Sequence, residues 1–219
     1  MKNIKTIALM LLSGLFLLSF TNISIQKTLD DGLKIGKKAP MTNIEMANID
    51  NSMQSLEKLK MKKGLLVVFS CNTCPFVVGS SDFAGWEKQY NELHALSQKS
   101  EIGMVLINSN EGKRADEDSF EAMQKHAKEM GYTMSYLLDK NSELANAFGA
   151  NRTPHVYLLD KDLKLVYKGS IDNSWDPKRT EENNSLKNAI ANVSNDETVK
   201  VSTTVAVGCS IKRVVAKVN

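Results

Sequence analysis

The chain has 219 residues, 42% of them hydrophobic and 24% charged, with a formal net charge of +3 at pH 7. That length and composition fit one domain with a real core plus a targeting segment, and they exclude a chain disordered throughout. Two of the 28 basic residues, Lys2 and Lys5, stand in a leader; without them 26 basic residues face 25 acidic ones, a balance with no electrostatic footprint for nucleic acid.

Lys2 and Lys5 precede an uncharged run of 14 residues, Ile7 to Phe20, short of the ~20 that a spanning helix needs. A basic head, a short apolar middle and the polar "TNISIQK" that follows give the expectation of a secretory signal peptide over residues 1–25. Ser19 and Thr21 offer the small residues for cleavage; a membrane tether through residues 7–20 is the alternative. Export to the cell envelope or periplasm would place the cysteines where disulfides persist.

After the leader, short strands are expected around Ile44 to Met46 and a short helix from Ser55 to Leu59. "KLKMKK", Lys58 to Lys63, reads as a solvated turn. "LLVVFS", from Leu65, is the continuous apolar run of a strand buried on both faces. Phe76, Phe83, Trp86, Tyr90 and Leu93 then recur at helical spacing, with Gly79 and Gly85 predicting a kink or a split. "IGMVLIN" (102–108) is a second buried strand, and Asp116 is the expected cap of a helix carrying Phe120, Met123, Ala127 and Met130. "YLL" (136–138), a brief helix after Asn141, a hairpin of "HVYLLD" and "LKLVYKG" turning at Lys161-Asp162, and a helix over 181–193 complete the order. Strands alternating with helices predict an α/β fold with a mixed, mostly parallel sheet flanked by helices.

"CNTC", Cys71 to Cys74, falls where the first buried strand ends and a helix begins. Three chemistries fit a C-x-x-C: a redox dithiol, half of a metal site, or a structural staple. A helix start presents unpaired N–H groups and a positive dipole end, which favour a thiolate. Cys71 is therefore expected to have a lowered pKa and to act as nucleophile, with Cys74 one turn on as the resolving thiol. Pro75 suits a first helical turn. A disulfide across two residues closes too small a loop to stabilise much, so the staple is the weakest reading.

Downstream, "RTPHVYLLD" sets Pro154 directly before an apolar strand. With the C-x-x-C, this resembles the cis-proline corner of the thioredoxin fold, where an open backbone edge receives a partner's extended segment. From about Gly36 to Val193 the chain resembles a thioredoxin-like domain of the redoxin branch, which includes alkyl-hydroperoxide-reductase-like proteins and exported thiol-disulfide oxidoreductases. The residues that carry the resemblance are "VVFSCNTCPF", the insertion "MVLINSNEGKRADEDSFEAMQKHAKEMGY" and "TPHVYLLDKDLKLVYKGSIDN"; the ending "VGCSIK" is similar to that of one subgroup. The resemblance implies a thioredoxin fold with a redoxin-type insertion, Cys71 as attacking thiol, Cys74 as resolving thiol and Pro154 as the cis-proline. It implies no bound cofactor, a protein or small-molecule thiol or disulfide as substrate, and an envelope redox partner for recycling.

The chain departs from thioredoxin in three places. Ser70 stands where a tryptophan precedes the first cysteine, the strand Leu65 to Phe69 supplies no buried acid, and Asn72-Thr73 separates the cysteines. Dithiol potentials in such folds span about −270 to −120 mV, and Asn-Thr does not fix a position in that range. A thiol peroxidase is one alternative, with Arg152 as the nearby cation. A Cu(I)-binding chaperone using Cys71, Cys74 and His155 is another, two thiolates and an imidazole suiting a soft ion. His94 and His126 are expected at the surface, and Trp175 and Asp172 on a loop, either near the site or an ordinary one. Residues 194–219 form a C-terminal extension whose Cys209 is a candidate third redox thiol, with Gly208 permitting close approach.

Overall fold

The computed structural model describes residues 32–214; the expected signal peptide or tether lies outside them. A five-stranded sheet forms the centre. Its middle strand is β3 (Gly64–Ser70), which follows a short antiparallel pair, β1 (Met46–Ala47) and β2 (Met53–Gln54), and the four-residue helix α1 (Leu56–Leu59). β3 pairs in parallel with β4 (Ile102–Asn108), and β4 in parallel with β5 (Ser135–Leu138). On the other side β7 (His155–Asp160) runs antiparallel to β3, and β8 (Leu165–Gly169) closes the hairpin with it.

The apolar run of β3 is buried on both faces because each face is covered by helices. Leu66 and Val68 point into a cluster completed by α3 (Tyr90–Lys99), α4 (Phe120–Glu129) and α6 (Ser185–Ser194), through Leu93, Met123 and Ile190 among others. Leu65, Val67 and Phe69 point the other way, onto α1 and α5 (Glu143–Phe148). This period-2 alternation turns one uninterrupted hydrophobic stretch into two half-cores. It is the thioredoxin-type α/β architecture expected.

The helical stripe from Phe76 to Leu93 is divided. α2 (Pro75–Val78) lasts one turn and stops at Gly79; a 3-10 turn, Trp86–Gln89, then leads into α3. Gly85 sits at φ 81°, and a Cβ there would lie 2.4 Å from the Gly79 nitrogen, so this tight return requires glycine. Phe76, Phe83 and Trp86 still pack together across the break.

Two caps differ from expectation. Ser119, not Asp116, caps α4, its hydroxyl accepting from the Ala122 N–H at 3.2 Å. α6 begins at Ser185 rather than near 181, because Glu181 and Asn183 are committed to hydrogen bonds with Asn173. The last described elements are β6 (Arg152–Thr153) and β9 (Cys209–Ser210), which pair antiparallel.

Candidate active site

The dithiol lies at the carboxyl end of β3, the central strand of the sheet. Cys71 and Cys74 are free thiols and both are buried. Cys74 is the residue before α2, and its backbone N–H donates to Cys71 Sγ at 3.3 Å. The residue that opens the helix thus offers a backbone donor to the first cysteine.

The Thr153–Pro154 peptide bond is cis, and Thr153 meets both sulfurs. Its hydroxyl lies 3.4 Å from Cys71 Sγ, and its carbonyl lies 3.0 Å from Cys74 Sγ and accepts from it whenever that sulfur is protonated. A hydroxyl donates to a thiolate or accepts from a thiol, so Thr153 serves Cys71 in either state.

The pair favours a single negative charge. The hydrogen bond from Cys71 holds Cys74 down to about 5, helped by the thiol and N–H of Cys209 against the opposing effect of burial. The same thiol–thiol bond, then burial, push Cys71 well above the ordinary thiol value, and the nearby Asp118 charge adds to this. The lowered pKa belongs to the pair of sulfurs together rather than to Cys71 alone. The cause is a shared proton: once one sulfur carries the charge, the other is the donor that stabilises it.

A polar network behind Cys71 was not anticipated. Asp118, fully buried, accepts from the Asn72 N–H at 2.9 Å, from Asn108 Nδ2 at 2.8 Å and from Asn110 Nδ2 at 2.9 Å. Tyr136 donates to Asn72 Oδ1 and receives from Asn108 Nδ2, each at 2.9 Å. Arg114 donates to the carbonyls of Asn108 and Asp118 at 2.9 and 2.6 Å. The insertion after β4 thus places a buried acid behind Cys71, although β3 itself carries none. The signal for it was "NSN" directly ending an apolar strand, a polar cluster too near the core to be solvated.

His155 does not join the dithiol. It stacks on Tyr157, ring centroids 4.6 Å apart, and Tyr157 belongs to the half-core on the opposite face of the sheet from Cys71 and Cys74. Burial, with Lys168 and Arg152 nearby, pushes its pKa down to about 4. No group of three metal-ligating side chains exists among the described residues. The Cys71–Cys74–His155 copper site is therefore corrected: residue 155 lies one strand over with its ring on the wrong face. Arg152 is exposed and opposes Ser210 across β6 and β9.

Asp172 is structural, accepting from Trp86 Nε1 and Gln89 Nε2, each at 2.7 Å. Trp175 does reach the site's rim, lining an apolar groove with Pro75, Phe76, Phe83 and Pro177. His94, expected at the surface, is buried and bonded to Thr133 at 2.8 Å; His126 is partly buried against Glu87 at 2.7 Å.

The C-terminal segment crosses this site. Cys209 pairs with Thr153 in β6–β9, and its N–H donates to Cys74 Sγ at 3.3 Å. A Cβ on Gly208 would lie 2.2 Å from the Thr153 carbonyl oxygen, so only glycine fits here.

The family model for redoxins matches residues 34–190. The chain belongs to the redoxin family. A curated relative, the thiol-disulfide oxidoreductase ResA of Geobacillus thermodenitrificans (strain NG80-2), is 28% identical over 75 residues, which cover 34% of this chain and 39% of that protein. The crystal structure of an uncharacterized conserved protein from Geobacillus kaustophilus matches with TM-score 0.72 and 33% identity, over 82% of this chain and 92% of that one. A hypothetical protein from Sinorhizobium meliloti 1021 matches with TM-score 0.74 and 26% identity, over 84% and 97%. Both of those chains are covered over nearly their whole length.

Proposed function

We propose that this redoxin is an exported thiol-disulfide oxidoreductase that works through Cys71 and Cys74. The observation that carries the reading is the pair itself: two free, buried thiols in hydrogen-bond contact at a strand-to-helix junction, with Thr153 touching both. Membership of the redoxin family and the partial likeness to ResA support it.

The charge that the pair shares sits on Cys71 for attack, one proton passing between the sulfurs with no change in net charge. Cys71, as thiolate, keeps the Cys74 N–H and the Thr153 hydroxyl as donors, while the new Cys74 thiol donates to the Thr153 carbonyl. Cys71 attacks one sulfur of a partner's disulfide; that S–S bond breaks, a mixed disulfide forms and the partner's other sulfur leaves as thiolate. Cys74 then gives up its proton and attacks Cys71 Sγ, which releases the partner reduced and leaves a Cys71–Cys74 disulfide. A separate thiol donor in the envelope resets the pair, and the reverse sequence oxidises a partner. The leader over residues 1–25 supports a periplasmic or envelope location.

The test is thiol mapping by mass spectrometry after equilibration of the chain across graded glutathione buffers. Reversible interconversion of Cys71 and Cys74 between dithiol and disulfide is expected, and the midpoint potential separates reductase from oxidant. A pair that never closes overturns the reading.

A further inference from the structure

The tail is held too firmly, and too near the sulfurs, to be an idle extension. Ser202 and Thr204 bond to Lys168 of β8 through backbone pairs at 3.0 Å each. Thr204 Oγ1 adds contacts to Tyr167 and Ser170 at 2.8 and 3.0 Å. Past the site, the Lys212 N–H donates to Asn110 Oδ1 at 2.9 Å and the Lys212 carbonyl accepts from Gly112 at 2.6 Å. Arg213 reaches Asn146 Oδ1 and the Ala150 carbonyl, each at 2.6 Å, and Ile211 is buried in the second half-core. Between these anchors β9 lies against Thr153, the residue whose side chain and carbonyl serve the dithiol.

Backbone pairing at this edge places residue 209 next to residue 74. The Cys209 N–H already bonds to Cys74 Sγ at 3.3 Å, and the register sets Cys209 opposite Thr153, whose carbonyl meets the same sulfur. A segment of this chain therefore occupies the position where a partner's extended strand would dock, and it carries a cysteine opposite the dithiol. We propose that Cys209 is a third redox thiol, an internal substrate that exchanges disulfides with Cys74 while β9 is docked on Thr153.

The proposal rests on the Cys71–Cys74 disulfide of the reading above. Starting from that disulfide, Cys209 loses its proton and attacks Cys74 Sγ. The Cys71–Cys74 bond breaks, its electron pair leaving on Cys71, and a Cys74–Cys209 bond forms; Cys71 takes up the proton. One disulfide replaces another, so no outside oxidant or reductant is needed. In the reduced chain, burial and contact with the Cys74 charge push the Cys209 thiol up to about 11, while Lys212 acts the other way. Once Cys74 is in a disulfide its charge is gone, which removes that opposition when Cys209 must react. The outcome is a freed Cys71 on a chain that keeps its oxidising equivalent.

The experiment is peptide mapping of the full chain after equilibration in oxidising glutathione buffer and alkylation at low pH, on wild type and on Cys71→Ser. The expected result is a Cys74–Cys209 cross-linked peptide as the main intramolecular product of Cys71→Ser, and both cross-links in oxidised wild type. If wild type forms the Cys71–Cys74 disulfide alone, and Cys71→Ser yields only glutathione adducts or dimers, the third-thiol role is overturned while the oxidoreductase reading stands. If wild type forms neither cross-link, both fall. The wild-type chain carries the test should Cys71→Ser fold poorly.

Discussion

The backbone N–H of Cys209 donates to the sulfur of Cys74 across 3.3 Å, joining residues 135 positions apart in sequence. Gly208 makes that approach feasible, since any Cβ there would meet the Thr153 carbonyl. Gly208→Ala is expected to lift β9 from Thr153. The alkylation rate of Cys209 at neutral pH should rise at least several-fold, with a loss of about 1–3 kcal/mol in stability from the strained packing. Unchanged alkylation would show that the contact does not restrain this thiol.

The charge shared by the dithiol gives the reduced chain a pH signature. Cys74 is held down to about 5 in the folded state, against an ordinary thiol value near ~8.5 in the unfolded one. A depressed folded pKa stabilises above the unfolded value, and the benefit is lost as pH falls through about 5. The urea midpoint of the reduced chain should therefore decline from about pH 8.5 to about pH 5, and Cys74→Ser should flatten that decline. Iodoacetamide should find one thiolate of the pair in mildly acidic solution and the second only in strong alkali. Two thiols titrating together near ~8.5 would contradict the shared-charge arrangement.

His155 has the opposite relation to its proton. Burial holds its folded pKa near about 4, so between there and ~6.5 the unfolded chain binds the extra proton and stability rises with pH. Acidification through that window should cost at most ~1.4 kcal/mol per pH unit from this one group. His155→Gln should reduce the slope and leave binding of Cu(I) to the dithiol unaltered. A fall in copper affinity on that substitution would return the imidazole to the metal site.

Asp118 holds three donors in a buried place. Asp118→Ala strands them, at a cost of about 1–3 kcal/mol for each donor left unpaired. Asp118→Asn keeps the shape and removes the charge that raises Cys71. Its expected effect is a downward move of the Cys71 alkylation profile along the pH axis, with a smaller loss in denaturant midpoint than the alanine variant. An unmoved profile would limit Asp118 to holding the loop.

Much of the scaffold was legible because its cues are local. The run Leu65 to Phe69 bounded by Gly64, and the helical spacing of Phe120, Met123 and Ala127, each state a period that packing must satisfy. The site divided differently. Cys71 and Cys74 follow from the strand-to-helix junction, but Asp118 is brought to Asn72 by an insertion whose path no short-range pattern encodes. The alternative with His155 as a copper ligand failed for a simpler reason, while the reading of His155 as an ordinary strand residue held: closeness to Pro154 in sequence says nothing about which face of β7 its ring takes. Cys209 was visible as an unpaired thiol, while its seat beside Cys74 depends on pairing across the whole domain.

The placement of Cys71 and Cys74 on unlike supports has a consequence for motion. β3 is bonded along its length to β4 and β7, so the amides leading to Cys71 should be among the slowest in the molecule to exchange with deuterium. Cys74 opens a one-turn helix that ends at Gly79 and is followed by the return through Gly85. Any atomic shift that accompanies closing or opening of the disulfide is therefore expected on the Pro75–Gly85 side, with Cys71 displaced less than Cys74.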